Sequence, residues 1–341
     1  MTAVGIRTSA PGKLFLLGEY AVLGGGPALL TAVDRRVDVA VHASTSGSWH
    51  VSAPNLGIEN LLLGTDGELP STLDSRVRSS LRVFDAVREA VLARAPRPPR
   101  PLAISIDSSA LSRDGHKLGL GSSAAVATAL TAALCTAVGL NQGRASLFSL
   151  ADEAHRSAQG GVGSGGDVAA SVYGGLIGYN QGATPMPLHW PGGLQMMAVV
   201  TGEGSLTTRL VARVADYAAE DPAGHRADIA RLSALSERAA AALADPDGFL
   251  RLANEYFIAL SQLDAHALAG IVTERHRELH ELVRREGGAF KTSGAGGGDI
   301  GLVFSHSGEP AELLAAALAR AGASVVPLGF PAAGLQGDCT S

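Results

Sequence analysis

Residues Ser122 to Val138 read SSAAVATALTAALCTAV, a run without a single charge, and glycine follows at 139. A helix that is apolar on every side has no face for water and must be buried, with Gly139 as its stop. Its approach is equally distinctive, because Gly119-Leu120-Gly121 leads straight into Ser122-Ser123-Ala124-Ala125. Closely spaced glycines let the backbone come near a ligand. The unpaired N–H groups of a helix start, with the positive end of its dipole, then point at whatever sits there. A phosphate chain is the best-matched occupant, and Ser122 and Ser123 add hydroxyls that can bind phosphate oxygen or magnesium. The segment is neither GxxxxGK[ST] nor a GxGxxG after a Rossmann strand. Taken alone, it reads equally well as a serine N-cap after a tight glycine connection.

Other features break that tie. The chain has only three lysines, Lys13, Lys117 and Lys291, and each lies in or beside a glycine-bearing segment: APGKLFLLGEY, KLGLGSSAA and KTSGAGGGD. Every other long cation is an arginine, so lysine is kept where a compact, flexible ammonium can meet a phosphoryl group as a point charge. GGVGSGGD, from Gly160 to Asp167, is a second glycine loop and closes on a carboxylate. SGAGGGD, from Ser293 to Asp299, is a third and is expected between a helix and a strand. Glycine costs conformational entropy, so three such loops point to repeated close approach of backbone to ligand in one phosphate-handling cleft.

The remaining chain supplies two domains' worth of alternating elements. Extended segments are expected from Ile6 to about Ala43 (LFLLGEYAVL, ALLTAV, VDVAVHA), turning at Gly24-Gly25-Gly26-Pro27. A helix from roughly Ser75 to Arg94 follows, ended by the prolines from Pro96 to Pro101, then a strand from Leu102, the loop SRDGHK, and helices at 122–138 and 144–159. A junction falls between Gly182 and Gly193. Beyond it the pattern gives the strand QMMAVVT, helices near 206–218, 225–244, 247–264 and 273–286, the strand IGLVFS, a helix at PAELLAAALARAG and a last strand, ASVVPLGF. Strands interleaved with helix pairs suggest an α+β sandwich with helices on one face of the sheet.

At 341 residues, 46% hydrophobic and 17% charged, the chain is long enough for two packed cores. A net charge of -5 with no basic stripe argues against nucleic acid as a partner. Cys135 and Cys339 have neither disulfide-framework nor metal spacing, and neither a signal-peptide core nor a membrane-length apolar run is visible. A soluble cytoplasmic protein is expected, as a monomer or a homodimer, with no membrane partner. Arg35, Arg36 and Arg78 are further candidate anion binders. His276 and His280, four apart in RHRELHELVRRE, could hold a metal, but the segment reads more readily as a charged solvent face.

APGKLFLLGEYAVL, KLGLGSSAAV and KTSGAGGGDIGL resemble, in order and across nearly the whole chain, the three motifs of the GHMP kinase family. Glu19-Tyr20, AHRSAQGGVGSGGDVAAS (Ala154 to Ser171) and Asp299 are similar to the phosphomevalonate kinases within it. The resemblance implies a two-domain α+β fold. It pairs a ribosomal protein S5 domain 2-like N-terminal domain (1–187, nucleotide-binding) with a ferredoxin-like C-terminal domain (188–341, substrate-side). It further implies ATP and Mg2+ as cofactors and phosphoryl transfer from ATP to phosphomevalonate in the mevalonate pathway. Lys13 and Asp167 would then stand at the transfer site. Lys117, Gly119, Leu120, Gly121, Ser122, Ser123 and Ala124 would surround the nucleotide phosphates, with Ser123 on the metal. Glu19, Tyr20, His155, Ser164, Gly165, Lys291, Gly294, Ala295 and Gly296 would meet the acceptor. Mevalonate kinases carry a magnesium-binding glutamate eleven residues before the aspartate; here that position is Arg156, with Glu153 nearby. Alternatives are a mevalonate kinase or another small-molecule kinase of the family, a diphosphomevalonate decarboxylase, and a nucleotide-binding sensor without turnover.

Overall fold

The period-two pattern of VDVAVHA is realised in a strand that buries Val37, Val39 and Val41 and turns Asp38 and His42 outward. In the computed structural model, which describes residues 5–96, 100–113, 116–202 and 207–337, this strand is the second half of β2 (Ala28–Ala43). β2 pairs antiparallel with β1 (Ile6–Leu17), and the two form the spine of an eight-stranded sheet. β5 (Leu102–Asp107), β3 (His50–Ala53) and β4 (Ile58–Leu62) extend it on one side, with β3 parallel to β5. β8 (Leu176–Tyr179) also pairs with the first half of β2 and carries β9 (Met186–Leu188). The chain's last strand, β14 (Gln336–Gly337), returns to pair with β1.

The charge-free segment forms α3 (Ser122–Val138), and its burial is met from every side. α3 packs on β1 and β2 and is flanked by α2 (Arg82–Leu92), α4 (Arg144–Ala158) and α5 (Gly166–Tyr173). Gly139 caps it in the left-handed conformation, as expected. Cys135 is buried within α3, whereas Cys339 lies outside the described residues, as do Asp114 and Gly115 of the SRDGHK loop. The other four residues of that segment are not loop but the paired short strands β6 (Ser112–Arg113) and β7 (His116–Lys117).

A second, four-stranded antiparallel sheet has the order β11-β12-β10-β13, from β11 (Ala289–Thr292), β12 (Ile300–His306), β10 (Leu194–Val200) and β13 (Ser324–Val326). Its helices are α6 (Thr207–Glu220), α7 (Pro222–Glu237), α8 (Ala239–Ala242), α9 (Pro246–Ala267), α10 (Glu274–Arg285) and α11 (Glu309–Arg320). No helix among the described residues is long and apolar enough to cross a membrane.

Several sequence expectations change. β1 stops at Leu17, because Gly18 (φ 104°) and Tyr20 (φ 60°) turn the chain into a 3₁₀ turn rather than extending the strand through GEYAVL. The helix expected over 75–94 is divided into α1 (Ser75–Ser80) and α2 by Leu81, which leaves helical geometry at φ -97° and ψ 6°. The second glycine loop ends sooner than expected, so Asp167 lies in the first turn of α5. The third loop joins two paired strands, β11 and β12, not a helix and a strand. β13 is only three residues long because Pro327, without an N–H, follows it. The face of α10 carrying His276 and His280 is buried, not solvated: His276 bonds Thr201 and completes a capping box with Thr273, while His280 stacks on Phe257. Among the described residues no cluster of His, Cys, Asp or Glu is able to hold a metal by itself.

Candidate active site

Lys13 owes its position to a break in strand pairing. The β1–β2 register shifts between Pro11 and Lys13, and such a bulge re-aims the side chain that follows it. The Lys13 N–H donates to Leu120 O at 2.8 Å, and the ammonium reaches Gly119 O at 3.4 Å, so the first motif is stitched to the second. The Lys13 stem lies across Gly121, where a Cβ would stand 2.8 Å from Lys13 Cε and the φ of 76° already favours glycine. Gly121 is therefore glycine for two independent reasons.

A cavity of about 460 Å³ opens over this junction. Its wall includes Lys13, Lys117, Gly119 to Ser123, Ser164, Asp167, Glu19, Tyr20, Gly294 and Ala295, all expected from the sequence, together with Ser293 and Asp299 of the third motif. The α3 N-terminus points at it with Gly121, not a serine, as N-cap and with no side-chain cap, which leaves first-turn N–H groups for an anion. Ser123 Oγ lies 3.0 Å from His155 Nε2, and the Gln159 amide nitrogen lies 2.9 Å from the same ring nitrogen. Ser123, His155 and Gln159 thus form one hydrogen-bonded cluster, in which the ring tautomer sets which group donates. His155, buried behind Ser123, holds that hydroxyl rather than facing the cavity itself.

Burial and neighbouring charges oppose each other inside this space. Burial pushes the Lys13 ammonium below its ordinary pKa, opposed first by Asp167 and then by Asp299 and Glu19. Burial raises the carboxyl of Asp299, opposed by Lys13 and Lys117. The loop that delivers Asp167 is braced from behind. Arg156 pairs with Asp152 at 2.8 Å and donates to Ser164 O at 3.1 Å, and the Tyr179 hydroxyl donates to the same carbonyl at 2.8 Å.

Five expected contacts, His155 among them, lie off the cavity wall. Lys291 is fully buried, pairs with Glu19 at 2.5 Å and does not line the cavity. Ala124 is in the core of α3, Gly165 is the backbone cap of α5, and Gly296 packs against Ile271; none lines the cavity. The three candidate arginines are also engaged elsewhere: Arg35 on Ala110 O, Arg36 on Ser9 and the carbonyls of Ala333 and Gly334, Arg78 on Pro70 O. Glu153 pairs with Arg94 on the surface. Sequence reading missed Arg82 and Val83 from α2 and Thr207, Thr208 and Val211 from α6, which also line the wall. No motif marks them, and only the packing of α2 and α6 brings them to the cavity.

Residues 80–175 match the GHMP kinases N terminal domain. The chain is 32% identical over 333 residues to a phosphomevalonate kinase of Streptomyces sp., covering 86% of this chain and 88% of the relative. It is 29% identical over 302 residues to a mevalonate kinase of Pyrococcus horikoshii, covering 86% of each. Among solved structures, a phosphomevalonate kinase of Streptococcus pneumoniae in complex with phosphomevalonate and AMPPNP has a TM-score of 0.79 at 20% identity, over 96% of this chain and 99% of that one. With the first of these relatives aligned over most of both sequences, the chain belongs to the GHMP kinase family.

Proposed function

We propose that the protein transfers the terminal phosphoryl group of ATP to the phosphate of phosphomevalonate, giving 5-diphosphomevalonate and ADP. The observation that carries this reading is the meeting of Lys13, Asp167 and the uncapped start of α3 on one cavity. Phosphoryl transfer asks little covalent chemistry of a protein. It needs donor and acceptor held in line and charge neutralised on the equatorial oxygens. In this reading the α3 N-terminus and Lys117 hold the nucleotide phosphates, and Lys13 meets the charge that develops on the transferring group. Asp167 orients Lys13 or the acceptor. An acceptor oxygen forms the new P–O bond as the bond to ADP breaks. A phosphate monoester has a second pKa of about 6, so it arrives ionised and needs no strong general base.

Metal fits the same wall. Nucleotide-bound magnesium takes few protein oxygens, and Ser123 and Asp167 both face the cavity. When bound there, magnesium would neutralise phosphate charge. The cations on the wall, Lys117 and Arg82 besides Lys13, are assigned to the phosphates of the two ligands. One feature supports a phosphorylated acceptor over mevalonate: Arg156 braces the loop at the position where mevalonate kinases carry a glutamate. The amino-terminal half is read as the nucleotide-binding domain, and the sheet of β10 to β13 with its helices as the acceptor side.

A coupled assay of ADP release against mevalonate, phosphomevalonate and diphosphomevalonate tests the proposal. Turnover is expected with phosphomevalonate. Turnover with mevalonate alone, or carbon dioxide release from diphosphomevalonate, would replace it.

A further inference from the structure

Glu19 and Lys291 stand 272 residues apart in sequence and meet with side-chain exposures of 2% and 0%. An ammonium has three hydrogens, and here the acceptors are Glu19 Oε1, Phe15 O at 3.4 Å and Thr292 O. Nothing is left for a ligand. Around the pair the first and third motifs interlock: Ser293 Oγ accepts from Phe15 N–H at 3.0 Å and donates to Phe15 O at 3.1 Å. Tyr256 donates to Glu19 O at 2.7 Å, and Tyr20 donates to Ala295 O at 2.7 Å. Tyr20 holds φ 60°, a conformation that a bulky residue keeps only where its surroundings enforce it. Glu19 Oε2 is buried without a hydrogen-bond partner, on a wall shared with Tyr20, Ser293, Gly294 and Ala295.

A buried ion pair seldom stabilises a fold more than apolar packing of the same volume would. What this pair does supply is a fixed geometry between two segments that line the cavity. We propose that Lys291 is a positioning residue: through Glu19 it locks the Glu19–Tyr20 corner against the Ser293–Ala295 loop, shaping the acceptor wall without touching the acceptor. The assignment of that wall to the acceptor rests on the kinase reading above.

The test compares wild type, Glu19→Gln, Lys291→Met and the double variant, with kcat and KM measured for ATP and phosphomevalonate. Lys291→Met alone strands a buried carboxylate and risks misfolding, whereas the double variant buries no unpaired charge. Glu19→Gln should raise the acceptor KM about ten-fold with the ATP KM within about two-fold, and adding Lys291→Met should change the acceptor KM by less than about three-fold. A further ten-fold rise on adding Lys291→Met would show direct contact with the acceptor and overturn the proposal. Hydrogen–deuterium exchange without substrate supplies a second readout. In the double variant, residues 18–22 and 293–297 should lose protection together while 119–125 keep theirs, and unchanged protection in either segment also overturns it. If wild type does not turn over phosphomevalonate, the proposed acceptor falls, while the exchange result still decides whether Lys291 locks the corner.

Discussion

The surroundings of Lys13 and of Lys291 differ in where the ammonium hydrogens go, far more than in how well water is excluded. Both side chains are nearly inaccessible, at 6% and 0% exposure. Lys291 has its hydrogens matched by a carboxylate and two carbonyls. Lys13 makes one long bond, to Gly119 O, and no carboxylate lies within ion-pair distance of it among the described residues, although Asp167, Asp299 and Glu19 all favour its charge. One lysine is satisfied inside the protein, and the other lines the cavity with a single long hydrogen bond. Burial therefore does not tell the two ammonium groups apart; the partners of their hydrogens do.

That contrast can be broken most severely at Lys13. Lys13→Met should lower kcat about 10²- to 10⁴-fold with the ATP KM little changed, as for loss of a transition-state charge partner. Steady-state kinetics would remove Lys13 from the transfer step if kcat held. Lys291→Met should instead be felt in folding. Stranding the buried Glu19 carboxylate should cost about 3–5 kcal/mol of unfolding free energy in urea titrations, and Lys13→Met should cost none. Equal losses for the two variants would erase the distinction between them.

His276 sharpens the comparison with a buried group that must stay neutral. Burial first, with Arg277 adding to it, lowers its pKa to about 4 from 6.5, and its Nδ1 accepts from the Thr273 N–H. The unfolded chain binds a proton below about 6.5 that the folded chain refuses until about 4, so stability should fall as pH drops through that window. The full effect is about 3 kcal/mol, at 1.36 kcal/mol per pKa unit. His276→Gln keeps a capping-box residue at the same position and should flatten this slope in urea titrations between pH 7 and 4. A slope equal to wild type would assign the acid sensitivity elsewhere.

Gly121→Ala should give the smallest change of the series. A non-glycine residue at this φ costs about 1–2 kcal/mol, and the new methyl would press on the Lys13 stem. Turnover is expected to fall about ten-fold as the ammonium shifts. If kcat is unchanged, the stem yields and the close packing of Gly121 on Lys13 does not set the ammonium position.

Much of the site was legible because its chemistry is local. The glycines at 119 and 121, the serines that open α3 and the carboxylate at 167 are each dictated by a short stretch of backbone, and a short stretch can be read. Lys291 misled for the same reason, since its motif resembles that of a phosphate-binding lysine and nothing nearby in sequence reveals that Glu19 waits for it. Arg82 and Thr207 carried no local signal at all. Their neighbours read as ordinary amphipathic helix, and their place on the wall depends on how α2 and α6 pack.

By itself, the order of residues determined that a charge-free helix had to be buried, that its start would offer backbone donors to an anion, and that glycine loops would gather near it. Those outcomes follow from periodicity, dipoles and φ preferences, which act within a few residues. Tertiary structure alone decided which lysines face the cavity, which histidine holds Ser123 and which arginine remains on the wall. Each of those depends on a partner far away in the chain, and burial fixes such pairs only once the sheets and helices have met.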